Sequence, residues 1–154
     1  MTLHFAYGAN MSRAVMRKYA PGARALGVAE LLGHRFVITA DGYASVEAQR
    51  AQSVHGVLWR ITPRDRVMLD AWENTAAGLY RAETLAVRSA GRRVPALAYL
   101  ARPGGVGRPK PGYMELVIAA ARQWDLPADY IAALQSWSQA SARGSDARKI
   151  GEFR

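Results

Sequence analysis

The sequence predicts an α+β fold built on a strongly curved or barrel-like sheet. Three observations lead there. Short apolar stretches of strand composition recur from residue 3 to residue 101, and helical spacing is confined to early, middle and late segments. The length of 154 residues fits one domain that needs no disulfide or metal to fold. Roughly six short strands are expected, and no internal repeat is visible.

Residues 3–7 read as the first strand, which runs straight into Gly8, a small residue and Asn10. Ser12 is placed to cap a short helix carrying Val15, Met16 and Tyr19, ended by Pro21 and Gly22. Residues 26–40 hold strand-type segments, with "HRFVITA" the clearest. "DGYASVEAQRAQS" reads as a polar loop with one short strand at 44–46, and "VHGVLWRI" (54–61) as a further strand. Thr62 as N-cap, Pro63 in the first turn and Asp65 in the capping-box place open a helix over 63–72. Val67, Met68, Leu69 and Trp72 give that helix its apolar side.

Residues 80–88 and 94–101 read as two strands joined by the turn "SAGRR", and a Gly/Pro-rich connector follows over 102–112. Met114, Val117, Ile118, Ala121 and Trp124 repeat at helical spacing, as do Tyr130, Ile131, Leu134 and Trp137, so two helices close the domain. One domain is expected over residues 1–137. The polar, weakly patterned residues 138–154 are expected to form a C-terminal tail.

Composition narrows the function classes. There are no cysteines, which removes disulfides, a thiolate nucleophile and thiolate–metal chemistry together. The first strand begins within the first few residues and no apolar run approaches a membrane span, so a cytoplasmic protein without a membrane partner is expected. The net charge of +9 raises a nucleic-acid hypothesis. Lysine occurs only at 18, 110 and 149, however, so 18 of the 21 basic residues are arginine, and these are scattered. A chain rich in Ala and Arg is what a GC-rich genome produces without selection for binding. The expectation is a solvated basic surface and no nucleic-acid partner.

Most candidate sites are weak. His4, His34 and His55 stand far apart, none beside a second ligand at metal spacing, so they read as ordinary core or surface histidines. "GGVG" lacks the Lys-Ser/Thr of a phosphate loop, and no serine lies in a G-x-S-x-G elbow. Glu73 differs. It follows the helix at 63–72, next to Leu69 and Trp72. There the helix macrodipole and an apolar wall would both disfavour its charged form, the setting of a proton-transfer group. A helix-end glutamate in solvent is the plainer reading. Gly8 also has two readings, a tight strand-to-helix turn or a place where backbone N–H groups approach a ligand.

Taken together, these segments resemble the γ-glutamylcyclotransferase superfamily. "FAYGAN" (5–10) is similar to that family's FAYGSN loop. "HGVLWRIT" followed by "LDAWEN" resembles its W-G-V-hydrophobic-W strand and L-D-x-x-E-G helix end, and "AGLYRAETLAV" the strand after it. "ALAYLA" matches a Tyr-bearing strand, and "KPGYMELVIAAARQWDLPADYIAAL" the closing P-x-Y…L-P-x-x-Y helices. The matches keep their order from about residue 4 to residue 137.

The resemblance implies a small mixed β-barrel surrounded by helices. It puts Glu73 in the place of the catalytic acid/base, and Tyr7, Gly8, Ala9 and Asn10 in the substrate loop. Tyr113 falls on a substrate-contacting tyrosine, with Tyr80 and Tyr99 near the same pocket. Two residues depart from the pattern. Ala9 replaces the usual Ser, and Asn74 the usual Gly, the milder change because Asn tolerates left-handed backbone.

The implied reaction closes a γ-glutamyl group to 5-oxoproline and expels an amine. It requires no cofactor, metal or covalent enzyme intermediate, so the expected partner is a small γ-glutamyl compound alone. A non-catalytic ligand-binding or accessory protein of the same fold stays open, as does a basic nucleic-acid-binding domain. Neither the leaving amine nor the oligomeric state is legible.

Overall fold

Five strands close into a barrel whose direction changes bring several strand ends to one rim. The computed structural model describes residues 2–142. In it β1 (Thr2–Ala6), β2 (Arg24–Ile38), β3 (Ala44–Ile61), β4 (Tyr80–Ser89) and β5 (Arg92–Ala101) are arranged in the order β1-β3-β2-β4-β5. Neighbours are antiparallel except β1 and β5, which run parallel where His4 faces Leu97. The barrel is therefore mixed. Four α-helices accompany it: α1 (Arg13–Tyr19), α2 (Pro63–Trp72), α3 (Tyr113–Gln123) and α4 (Ala128–Ala142).

The strands are fewer and longer than the sequence suggests. β2 has 15 residues and β3 has 18, so most of the stretch read as a polar loop after residue 43 is strand. The β2–β3 pairing slips twice, between Ala25 and Gly27 and, more widely, where Leu32 faces Ser53 but His34 faces Ala48. The extra residues form a bulge in which Gly33 (φ 71°) and Ala51 (φ 64°) take left-handed backbone. Residues 48–52 are exposed, so no alternating apolar pattern marks them as strand.

Phe5, Leu31, Val54 and Val87 are among the buried residues of the barrel. Phe5 packs there because Gly56 has no side chain. A Cβ at Gly56 would fall 2.9 Å from the Phe5 ring and 2.2 Å from the Ala6 carbonyl oxygen. The start of α2 is capped as its sequence requires, with Asp65 N donating to Thr62 Oγ1 at 3.1 Å and Thr62 N to Asp65 Oδ2 at 2.9 Å. Asp65 Oδ1 also accepts from Gly22 N at 3.0 Å, which fastens the turn after α1 to the start of α2.

The closing helices pack on the sheet through aromatic edges, Trp124 against Trp59 at 6.0 Å and Trp137 against Phe36 at 6.4 Å. α4 continues through Ala142, past residue 137 where the domain is expected to end. The remainder of the expected tail, 143–154, lies outside the described residues. Among the described residues no helix is long and apolar enough to cross a membrane.

Candidate active site

β1 and β5 run one way and β3 and β4 the other, so the ends of the first two and the starts of the others share one rim. A pocket lies there. Tyr7, Gly8, Ala9 and Asn10 line it from the turn after β1, Tyr80 from the start of β4, and Tyr99 from the end of β5. Trp72 and Glu73 come from the end of α2, and Tyr113 from the first position of α3. All eight residues that the sequence places in or near the site therefore line this one pocket. The space that admits a water-sized sphere is about 20 Å³, room for one water molecule, and the pocket is partly open to solvent.

Glu73 is the C-cap of α2, its N–H donating to the Leu69 carbonyl at 2.8 Å. The residue is only 5% exposed. Asn74 lets the chain turn away immediately afterwards by taking left-handed backbone, φ 56° and ψ 46°. Trp72 stacks on Tyr19 of α1 with ring centroids 4.7 Å apart. Its indole N–H is buried without a hydrogen-bond partner among the described residues.

Asp70, one turn before Glu73, is engaged elsewhere. It accepts from the Tyr99 hydroxyl at 2.6 Å and pairs with Arg66 at 3.0 Å. Burial, and then the bond to Asp70, push the Tyr99 phenol above its ordinary range, so it remains a neutral donor.

A set of hydroxyl contacts joins the tyrosines to the backbone of the rim. The Tyr7 hydroxyl donates to the Tyr99 carbonyl. The Tyr80 hydroxyl donates to the Ala44 carbonyl at 2.7 Å, and Ala44 N donates to the Tyr113 hydroxyl at 3.2 Å. The loop at residues 7–10 is held from behind as well. Trp124 Nε1 donates to the Met11 carbonyl at 2.8 Å, and the Asn10 side-chain nitrogen lies 2.9 Å from His4 Nε2. His4 is a core histidine, as expected. Among the described residues no three His, Asp or Glu side chains are grouped to hold a metal ion.

Sequence reasoning missed Tyr43. It lines the pocket and meets the Tyr113 ring edge-on at 5.4 Å. The available signal was a lone aromatic after the Asp41-Gly42 turn in an otherwise polar stretch.

The sequence profile of the AIG2-like family matches residues 53–134, more than half of the chain. The chain belongs to the AIG2-like family. In this AIG2-like protein the matched region includes Glu73, Tyr80 and Tyr113 but not the loop at residues 7–10. No curated protein matches the sequence.

Solved structures share the fold. A protein described as a gamma-glutamyl cyclotransferase has a TM-score of 0.82 at 20% identity, over 93% of this chain and 99% of its own. An uncharacterised human protein has the same TM-score at 23% identity, covering 88% of this chain and 86% of its own. YkqA from Bacillus subtilis has 0.77 at 22% identity, and its match covers 90% of this chain but 54% of its own. The barrel of this AIG2-like protein is thus γ-glutamylcyclotransferase-like, in agreement with the motifs.

Proposed function

We propose that this AIG2-like protein cyclises the γ-glutamyl group of a γ-glutamyl amine or amino acid to 5-oxoproline and releases the amine. One observation carries the reading: a buried carboxylate at a helix end lines the same pocket as the loop of Tyr7, Gly8, Ala9 and Asn10. The substrate's α-nitrogen attacks its own γ-carbonyl carbon, forming the lactam C–N bond, and the bond from that carbon to the leaving nitrogen breaks. Glu73 takes a proton from the α-ammonium and delivers it to the departing nitrogen; the attacking nitrogen sheds a second proton as the lactam forms, and the released amine takes one up to leave as an ammonium ion. No net proton is consumed. Folding the substrate so that amine and carbonyl meet exploits intramolecular proximity. Backbone N–H groups of the loop are placed to receive the substrate carboxylate or the developing oxyanion.

A non-catalytic binding protein of this fold is the second reading, favoured by Ala9, which brings no hydroxyl to the loop. Both are tested by incubating the protein with γ-glutamyl amino acids, γ-glutamyl-lysine and a γ-glutamyl polyamine and measuring 5-oxoproline. Wild type should release it from at least one. Glu73→Gln keeps size and most hydrogen bonding but cannot accept the proton, so turnover should fall about 10²–10⁴-fold. Its thermal stability should be nearly unchanged. Asp70→Asn, which touches a structural pair, should lose far less turnover. Near-normal turnover in Glu73→Gln would sink both the mechanism and the assignment.

A further inference from the structure

His4 is wholly buried on β1, and nothing in the proposed reaction uses it. Its ring is held from two sides. Nδ1 lies 3.0 Å from the Leu97 carbonyl oxygen, and Nε2 lies 2.9 Å from the Asn10 side-chain nitrogen. A carbonyl oxygen only accepts, so Nδ1 carries a proton. Burial keeps the imidazole neutral, lowering its pKa from 6.5 to about 4. A neutral ring protonated at Nδ1 has a bare Nε2, which only accepts. Asn10 must therefore turn its NH2 group toward the ring, because the opposite amide orientation would set oxygen and nitrogen lone pairs against each other. Asn10 also lines the pocket. With its nitrogen turned back to His4, its amide oxygen is the acceptor it has for a ligand.

Taking the pocket as a γ-glutamyl site, as proposed above, we infer that His4 is a positioning residue. It locks the Asn10 amide so that the oxygen accepts a hydrogen bond from the ligand's α-ammonium group. The polarity runs without a break from the Leu97 carbonyl through the imidazole and the amide to the ligand. Such a site takes a free α-amine and discriminates against a ligand with no N–H at that place. Asn10 does not titrate, so it holds the α-nitrogen both before and after the proton has moved to Glu73.

L-Glutamate carries this α-ammonium group and glutarate lacks it, so their affinities, measured by calorimetric titration, read the contact without turnover. Wild type should bind L-glutamate at least about tenfold more tightly than glutarate, the worth of a hydrogen bond to a charged group. His4→Phe keeps a ring but has no nitrogens, and should cut that preference about tenfold, what remains being the attraction of the Glu73 carboxylate for the same ammonium group. His4→Gln offers an amide oxygen in place of Nε2 and should restore it to within about threefold of wild type. Long-range proton–nitrogen spectra of the wild-type protein at neutral pH should show Nδ1 protonated and Nε2 bare.

The opposite tautomer would overturn the inference. So would a wild type that does not distinguish the two ligands, or a folded His4→Phe variant that keeps the preference. Preference lost in His4→Phe with no γ-glutamyl compound turned over would instead overturn the cyclotransferase reading and leave the His4 assignment standing. Turnover in a wild type whose preference survives in His4→Phe would do the reverse.

Discussion

At Gly8 the backbone φ of −116° lies outside the left-handed region, so strain does not explain the glycine. Space does. A Cβ at Gly8 would sit 2.8 Å from the Tyr113 hydroxyl oxygen and 3.3 Å from the Ala44 Cβ. Tyr113 is 2% exposed, and its hydroxyl accepts from Ala44 N, so the ring has little room to retreat. Gly8→Ala should therefore lower stability by about 1–3 kcal/mol, the usual cost of overpacking, and reduce 5-oxoproline release by displacing Tyr113. Ala9→Ser should keep the fold and give turnover equal to or above wild type, because it restores the family's loop hydroxyl. Urea unfolding and the 5-oxoproline assay check both. A stable Gly8→Ala variant with full turnover would show that the fit between Gly8 and Tyr113 has no bearing on the site.

Among the elements, α2 was the most legible. Thr62, Pro63 and Asp65 announce its start through local chemistry alone, and the structure has that capping box. Its end depends on Asn74, whose left-handed backbone turns the chain away just after Glu73. Most side chains resist that conformation by roughly 1–2 kcal/mol, Asn less and Gly least. Asn74→Leu should thus lower stability by about 1 kcal/mol in urea unfolding, whereas Asn74→Gly should leave it within about 0.5 kcal/mol of wild type. Equal stability of the two variants would show that this turn does not constrain the end of α2. β3 was the least legible element. Its first half is polar, exposed and interrupted by a bulge, so local pattern gives no period-two signal, and Tyr43 went unnoticed beside it. What identifies this segment as strand is its pairing with β2, a partner that a local reading does not supply.

For the whole molecule, the motifs announced the barrel and most of the residues that line the pocket, but not how the ring closes. Closure depends on contacts between distant segments, and His4 makes one of them, from β1 to Leu97 on β5. Periodicity cannot reveal such a bond, so His4 read simply as a histidine without a metal partner. The burial of this histidine links acidity to global stability. Burial lowers the folded pKa of His4 from 6.5 to about 4; the Leu97 hydrogen bond opposes this in part and the Arg66 charge adds to it. Between those two values the unfolded chain binds a proton that the folded protein does not, so stability falls as pH falls. The slope reaches about 1.4 kcal/mol per pH unit, and this group contributes about 3 kcal/mol of loss over the window, then nothing further below it. Carboxylates also titrate at the acid end, so the comparison needs a variant without the imidazole. Urea unfolding of wild type and His4→Gln at about pH 7.5 and about pH 4.5 isolates it, with wild type expected to lose about 2–3 kcal/mol more than the variant. Equal losses in the two proteins would mean that His4 is not held neutral in the fold.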